Sequence, residues 1–136
     1  MKQIFVDANA WIALSSKRDR LHNSAIALHR ELLEADYRYI TTNFVLDETY
    51  TILLMHVGHF AAVDFGERVR SSSVIDVIHV TEGIEQDAWS LFKQYSDKQF
   101  SFTDCTSFVV MRRLNLIEAF TNDHHFEQAG FSARLR

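Results

Sequence analysis

Short β-branched runs alternate with helix-patterned segments along this whole sequence, and that alternation leaves very few folds open to it. Gln3 to Val6, Tyr39 to Thr42, Val74 to Val80 and Ile117 to Thr121 are brief and rich in Ile, Val, Phe and Thr. All four read as strands, and Gln3 to Val6 suits a strand buried on both faces. Helical spacing fills the intervals. A short helix runs from Asp7 to about Leu14, and a longer one from about Arg20 to Ala35 on a Leu21, Ala25, Leu28, Leu32 stripe. Further helices are expected from Asn43 to about Val57 with Gly58 as the stop, from about Phe60 to Arg70, over residues 82–95, and from Thr103 to about Leu114. A helical turn follows from His124, and Phe131 to Leu135 is an edge-strand candidate. Strands alternating with helices give an α/β fold with a mostly parallel sheet, whose ligands collect at the carboxyl ends of the strands.

The 136 residues are 47% hydrophobic, with eleven Phe and two Trp, enough for one core. No repeat or Pro/Gly-rich linker divides them, so one domain over residues 1–136 is expected. No apolar run nears the ~20 residues of a membrane span, and the N-terminus lacks a signal-peptide pattern. The single cysteine, Cys105, has no internal disulfide partner, so a reducing cytoplasm is the expected setting. A net charge of −4 argues against capture of nucleic acid by a broadly basic surface. It leaves room for a nucleic-acid substrate beside bound divalent cations, and for a basic protein partner.

Four carboxylates stand at the ends of apolar runs or on an apolar helix stripe: Asp7, Glu48, Asp104 and Asp123. Gathered at one sheet edge, oxygen ligands of this kind suit Mg²⁺ or Mn²⁺. Each also has a plainer role. Asp7 precedes a helix and reads equally as an N-cap, with Asn9 placed to orient it. Glu48 shares its stripe with Phe44, Val45 and Ile52, whereas Asp47 lines up with Asn43 and Thr51, so Glu48 is the one turned toward the core side. Asp104 lies in a first helical turn, where any anion is favoured. Thr103 is the expected cap there, leaving Asp104 free to point forward. Asp123 occupies a strand-to-helix junction that an Asx turn explains as well as a metal does.

Other residues invite chemistry less strongly. Seven histidines include no His-Glu-x-x-His run, so surface or turn roles are expected, with His124 near enough to Asp123 to touch substrate. Cys105, among Phe108, Val109 and Met111, reads as buried and inert. Arg112 and Arg113 end a helix, which suits cations on dipole grounds alone, although RNA phosphates are a second use. Trp11, Phe44 and the aromatics of 82–95 are core or dimer-face candidates before stacking platforms.

Phe5-Val6-Asp7-Ala8-Asn9, Leu46-Asp47-Glu48-Thr49, Ser101-Phe102-Thr103-Asp104-Cys105 and the run Phe120-Thr121-Asn122-Asp123-His124-His125-Phe126 through Phe131 resemble, in order, the signatures of a PIN domain. The nearest likeness is to the VapC-type toxin ribonucleases of toxin–antitoxin pairs. The resemblance implies a compact three-layer α/β/α sandwich and a metal-dependent endoribonuclease using one or two Mg²⁺ or Mn²⁺ ions. It implies that Asp7, Glu48, Asp104 and Asp123 are both metal ligands and catalytic residues, with Asn9 and Thr121 in support. It also implies an RNA substrate, a cognate antitoxin and a homodimer. Two other classes compete. A non-catalytic metal-binding scaffold uses the same acids. A haloacid-dehalogenase-like phosphatase with Asp7 as nucleophile wants a second Asp where Asn9 stands, and a lysine in a chain that has none between Lys17 and Lys93.

Overall fold

The β-branched runs and the helical stripes become separate elements in the computed structural model, which describes residues 2–136. Strand β1 (Lys2–Val6) leads into helices α1 (Ala8–Ser15) and α2 (His22–Glu34), then β2 (Tyr37–Thr42). Helices α3 (Asn43–His56) and α4 (His59–Ser71) precede β3 (Ile75–Ile78). Helices α5 (Glu82–Gln94) and α6 (Phe102–Arg113) lead to β4 (Glu118–Phe120), and α7 (His124–Gln128) to β5 (Ser132–Ala133). The sheet order is β3-β2-β1-β4-β5 and every pairing is parallel.

That order fixes the layers. From β1 the chain steps outward through β2 to β3, then crosses back to place β4 on the other side of β1. Right-handed crossovers therefore put α1 to α4 on one face and α5 to α7 on the other. The expected α/β/α sandwich results. Its core contains Ile4, Phe5, Val6, Ile40, Ala119 and Phe120 from the sheet, all at most 2% exposed. Trp11 is a core residue: it packs on Tyr39 and Phe65 at 6.0 and 5.5 Å, and its Nε1 donates to Thr41 Oγ1 at 3.3 Å.

Several boundaries differ from the sequence expectation, each for a local reason. Leu21 N donates to Asp19 Oδ1 at 2.8 Å, and this turn holds α2 back until His22. Gly58, at φ +136°, ends α3 by donating to the Leu53 carbonyl at 2.8 Å, and α4 restarts one residue earlier than expected, at His59. A side chain at that φ is strained, which explains the glycine. The cap of α6 is Ser101, not Thr103. Ser101 Oγ accepts from Asp104 N at 3.0 Å, and Asp104 Oδ2 accepts from Ser101 N at 3.0 Å, a reciprocal capping box. No helix among the described residues is long and apolar enough to cross a membrane.

Candidate active site

In an open parallel sheet, a crevice forms beyond the strand ends where successive connections leave in opposite directions. Here that switch point lies between β1 and β4. Asp7 follows β1 directly, and its N–H donates to the Phe120 carbonyl at 3.2 Å, which ties the two strand ends together. Its side chain is buried. Thr121 Oγ1 donates to Asp7 Oδ2 at 3.1 Å while accepting from Asn9 Nδ2 at 2.9 Å and from Asp123 N at 3.1 Å. Asn9 Nδ2 also reaches Asp7 Oδ2 at 3.2 Å, and Asn9 Oδ1 accepts from Asn122 N at 3.0 Å. One hydroxyl and one amide thus fix the carboxylate and couple it to the loop after β4. Asp7 precedes α1 but makes no side-chain cap bond to it.

The other acids arrive from three directions. Glu48, on the second turn of α3, is half-buried while Asp47 is exposed, as the stripe predicts. Asp104 reaches the edge from the first turn of α6, with Oδ2 engaged in the capping box. Asp123 caps α7, its Oδ1 accepting from His125 N at 2.9 Å. Capping and membership of the cluster coexist for Asp104 and Asp123.

No lysine or arginine stands among these groups as an ion-pair partner within the described residues. The electrostatics follow. Burial pushes the Asp7 carboxyl up to about 7, and the charges of Asp104 and Glu48 add to the rise. Burial also raises Glu48, with Asp104, Asp123 and Asp47 acting in the same direction. Burial raises Asp104, assisted by Asp123 and opposed by the Ser101 hydrogen bond and by His125. Three carboxylates carried from separate elements therefore disfavour one another's charge. A divalent cation relieves that pressure.

His125 adds a donor that sequence reasoning left among the turn histidines. Its Nδ1 is buried, forms no aligned hydrogen bond, and lies 2.9 Å from Asp123 Oδ1 and 3.7 Å from Asp104 Oδ2. The ligand atoms of Asp123, His124 and His125 all lie within 4.8 Å of one another. An orphaned buried nitrogen beside carboxylate oxygens fits a metal site. The signal was its place two residues beyond Asp123, on a helix too short to carry both side chains away from the edge. His124, by contrast, is exposed.

Beside the acids a groove of about 520 Å³ runs along α3, lined by Asn43, Phe44, Asp47, Glu48, Ile52 and Thr103 among others. Phe44 packs on Phe102 at 6.4 Å. Cys105 is fully buried, and burial raises its thiol to about 11, which removes it from nucleophilic chemistry. Arg113 is held by Asp87 at 2.7 Å and is not free for phosphate, whereas Arg112 is exposed at the end of α6.

The sequence pattern of the PIN domain matches residues 4–132, nearly the entire chain. This chain belongs to the PIN domain family. Among its relatives is the 23S rRNA-specific endonuclease VapC20 of Mycobacterium tuberculosis, 38% identical over 128 residues that cover 94% of this chain and 95% of that protein. A VapC ribonuclease of Archaeoglobus fulgidus is 31% identical over 113 residues, covering 82% of this PIN domain and 71% of the relative. The crystal structure of Mycobacterium tuberculosis VapC20, described as a sarcin–ricin loop cleaving toxin, superposes with a TM-score of 0.87 at 36% identity, covering 98% of this chain and 99% of that one. FitAcB of Neisseria gonorrhoeae, at 15% identity and a TM-score of 0.67 over 98% of this chain and 96% of its own, shares the fold.

Proposed function

We propose that this PIN domain is a metal-dependent endoribonuclease of the toxin type, whose substrate is the sarcin–ricin loop of 23S ribosomal RNA. The observation that carries the reading is the uncompensated carboxylate cluster at the β1/β4 switch point, in a chain similar to VapC20 along almost its full length.

Asp7, Glu48, Asp104 and Asp123 would hold one or two Mg²⁺ or Mn²⁺ ions, which lower the pKa of a bound water and stabilise the leaving 3′ oxygen. Thr121 and Asn9 both donate to Asp7 Oδ2. Asp104 is similarly half-engaged through its capping box. Asp7 and Asp104 are thereby fixed before any ligand arrives, which avoids reorganisation during the reaction. Hydrolysis breaks the P–O3′ bond as a water oxygen joins phosphorus. It leaves a 5′-phosphate and a 3′-hydroxyl, the second keeping the proton the water gave up.

His125 Nδ1 adds a nitrogen to an otherwise oxygen set, and nitrogen donors favour Mn²⁺ over the harder Mg²⁺. His125→Ala is therefore expected to weaken Mn²⁺ binding more than Mg²⁺ binding in calorimetric titrations. Equal losses for both ions would remove His125 from the ligand set.

A cognate antitoxin is the expected protein partner, and a homodimer the expected assembly. Trp89 and Phe92 on α5, 51% and 42% exposed, lie outside the core and supply an apolar surface for the second copy. Sedimentation of the purified protein checks that assembly.

The deciding experiment incubates purified protein with ribosomes or total RNA in Mg²⁺ or Mn²⁺, in EDTA, and with Asp104→Asn. A discrete 23S cut with a 5′-phosphate end, absent in EDTA and in the variant, is expected. A cut elsewhere would keep the nuclease and replace the target. A 2′,3′-cyclic phosphate end would reject the hydrolytic route, and no cleavage by folded, metal-loaded protein would favour a binding scaffold.

A further inference from the structure

Along α3, Glu48, Ile52 and His56 follow at intervals of four and share one helix face. Ile52 lines the groove beside the acids and also a second groove of about 650 Å³ between α1 and the last turn of α3. The two grooves are thus consecutive along the helix, about 12 Å apart from Glu48 to His56. Ile12, Ile52 and Val57 give the second groove its apolar lining, Ser15, Ser16, Lys17, Arg18 and Asp19 its polar one, and Arg20 lies next to Asp19 just outside it.

Most basic side chains elsewhere are committed. Arg38, Arg68, Lys98, Arg113 and Arg134 each face a carboxylate, and Arg70 donates to Tyr50 Oη and to the Gly66 carbonyl. Lys17, Arg18 and Arg20 are exposed and have no ion-pair or side-chain hydrogen-bond partner among the described residues. They fall within four consecutive positions of the turn joining α1 to α2. The other cations without an ion pair, Arg30, Lys93, Arg112 and Arg136, lie apart from one another, and Lys2 stands over the Tyr37 ring at 5.5 Å. Asp19 is the carboxylate in this turn, and its Oδ1 is occupied by Leu21 N at 2.8 Å.

We infer that the α1–α2 turn is a phosphate-binding track: Lys17, Arg18 and Arg20 hold the RNA backbone a few nucleotides from the bond cut at the acids. The inference rests on the nuclease reading above and extends it to the substrate strand. A chain of net charge −4, with carboxylates at its centre, needs a separate place of attraction for a polyanion. Free cations at the second groove, two helical turns along α3 from Glu48, supply it, with serine hydroxyls and His56 as further polar contacts. Tracking of the backbone by a positive groove carries no base preference by itself, so it positions the strand rather than selecting the sequence.

The test measures binding of a fluorescently labelled, mixed-sequence single-stranded RNA as a function of salt, with Asp7→Asn as parent so that the RNA stays intact. Lys17→Ala/Arg18→Ala/Arg20→Ala is added to one sample. Lys93→Ala/Arg30→Ala/Arg136→Ala, which removes the same charge elsewhere, is added to another. Each lost phosphate contact lowers the slope of log affinity against log salt by about 0.7 for a single strand, so the turn variant is expected to lose about 2. Its affinity at low salt falls about tenfold or more, and the control stays near the parent. Equal losses in the two triple variants, or no loss in the turn variant, overturn the track. So does a turn variant that keeps its RNA affinity while losing an acidic protein partner, since the cations then belong to that partner. Wild-type cleavage measured alongside separates the two readings: an active enzyme whose turn variant binds RNA normally fails the track alone, and an inactive wild type fails both.

Discussion

Asp7 and Asp76 stand on the same parallel sheet, and their surroundings differ in kind. Asp76, on edge strand β3, takes two hydrogen bonds from Arg38 at 2.7 and 3.1 Å, and that partner holds its carboxyl below the usual range. Asp7, at the end of the central strand, has two carboxylates acting on it and no cation, and is pushed up to about 7. Asp64 and Asp87 also have arginine partners, Arg68 and Arg113, at 2.9 and 2.7 Å. Acids that serve the frame come with a cation supplied by the chain. The acids of the switch point are left without one, so the missing charge is to come from solution.

The largest effect that sharpens this contrast concerns stability without metal. A folded-state pKa of about 7 against an ordinary 3.8 means the native protein binds the extra proton. The stabilising contribution is complete below about pH 4 and is lost as pH rises through 7. In EDTA the protein is therefore expected to become less stable from pH 5 to pH 8. Asp7→Asn flattens that slope and stabilises the metal-free protein at pH 8 by on the order of 4 kcal/mol. Added Mn²⁺ raises the melting temperature of the wild type more than that of the variant. A melting curve that ignores both pH and Mn²⁺ would break the comparison.

Thr121→Val comes next. It deletes the hydroxyl that Asp7, Asn9 and the Asp123 N–H share while keeping the volume of the side chain. Loss of a group that orients a ligand costs about 10–100-fold in metal affinity or activity. Thr121→Ser, which keeps the hydroxyl, is expected to restore most of it, as read by Mn²⁺ titration and RNA cleavage. Arg38→Gln gives the smallest change in denaturant unfolding, because the pair it breaks is partly exposed. Cleavage is expected to stay at the wild-type level. A large loss from Arg38→Gln would mean that the edge pairs also serve the site.

Much of this was legible from residue order. Strand–helix alternation gave the parallel α/β sheet, and the polar residue closing each apolar run pointed to the carboxyl edge. The comparison of Asp47 with Glu48 rested on helix geometry alone, and the two differ in exposure as that geometry requires. The cap of α6 was misread because Ser101 and Thr103 are both good caps. Only the reciprocal bond to Asp104, which needs a spacing of three, separates them. His125 was hidden for another reason. Metal-ligand spacings describe one helix or one turn, whereas its buried nitrogen meets Asp104 from a different element. The central helix α6 also carries no readable stripe, because it is buried from Cys105 to Met111 without a break.

The hydroxyl of Thr121 meets the Asp7 carboxylate across 114 positions of sequence. Synthesis is vectorial, so Asp7 emerges from the ribosome long before the strand that completes the candidate site. Until the chain has cleared the exit tunnel as far as Asp123, β1 lacks its β4 neighbour and Asp7 has Asn9 beside it without the Thr121 hydroxyl. The candidate site is therefore assembled only after nearly the whole chain has been made.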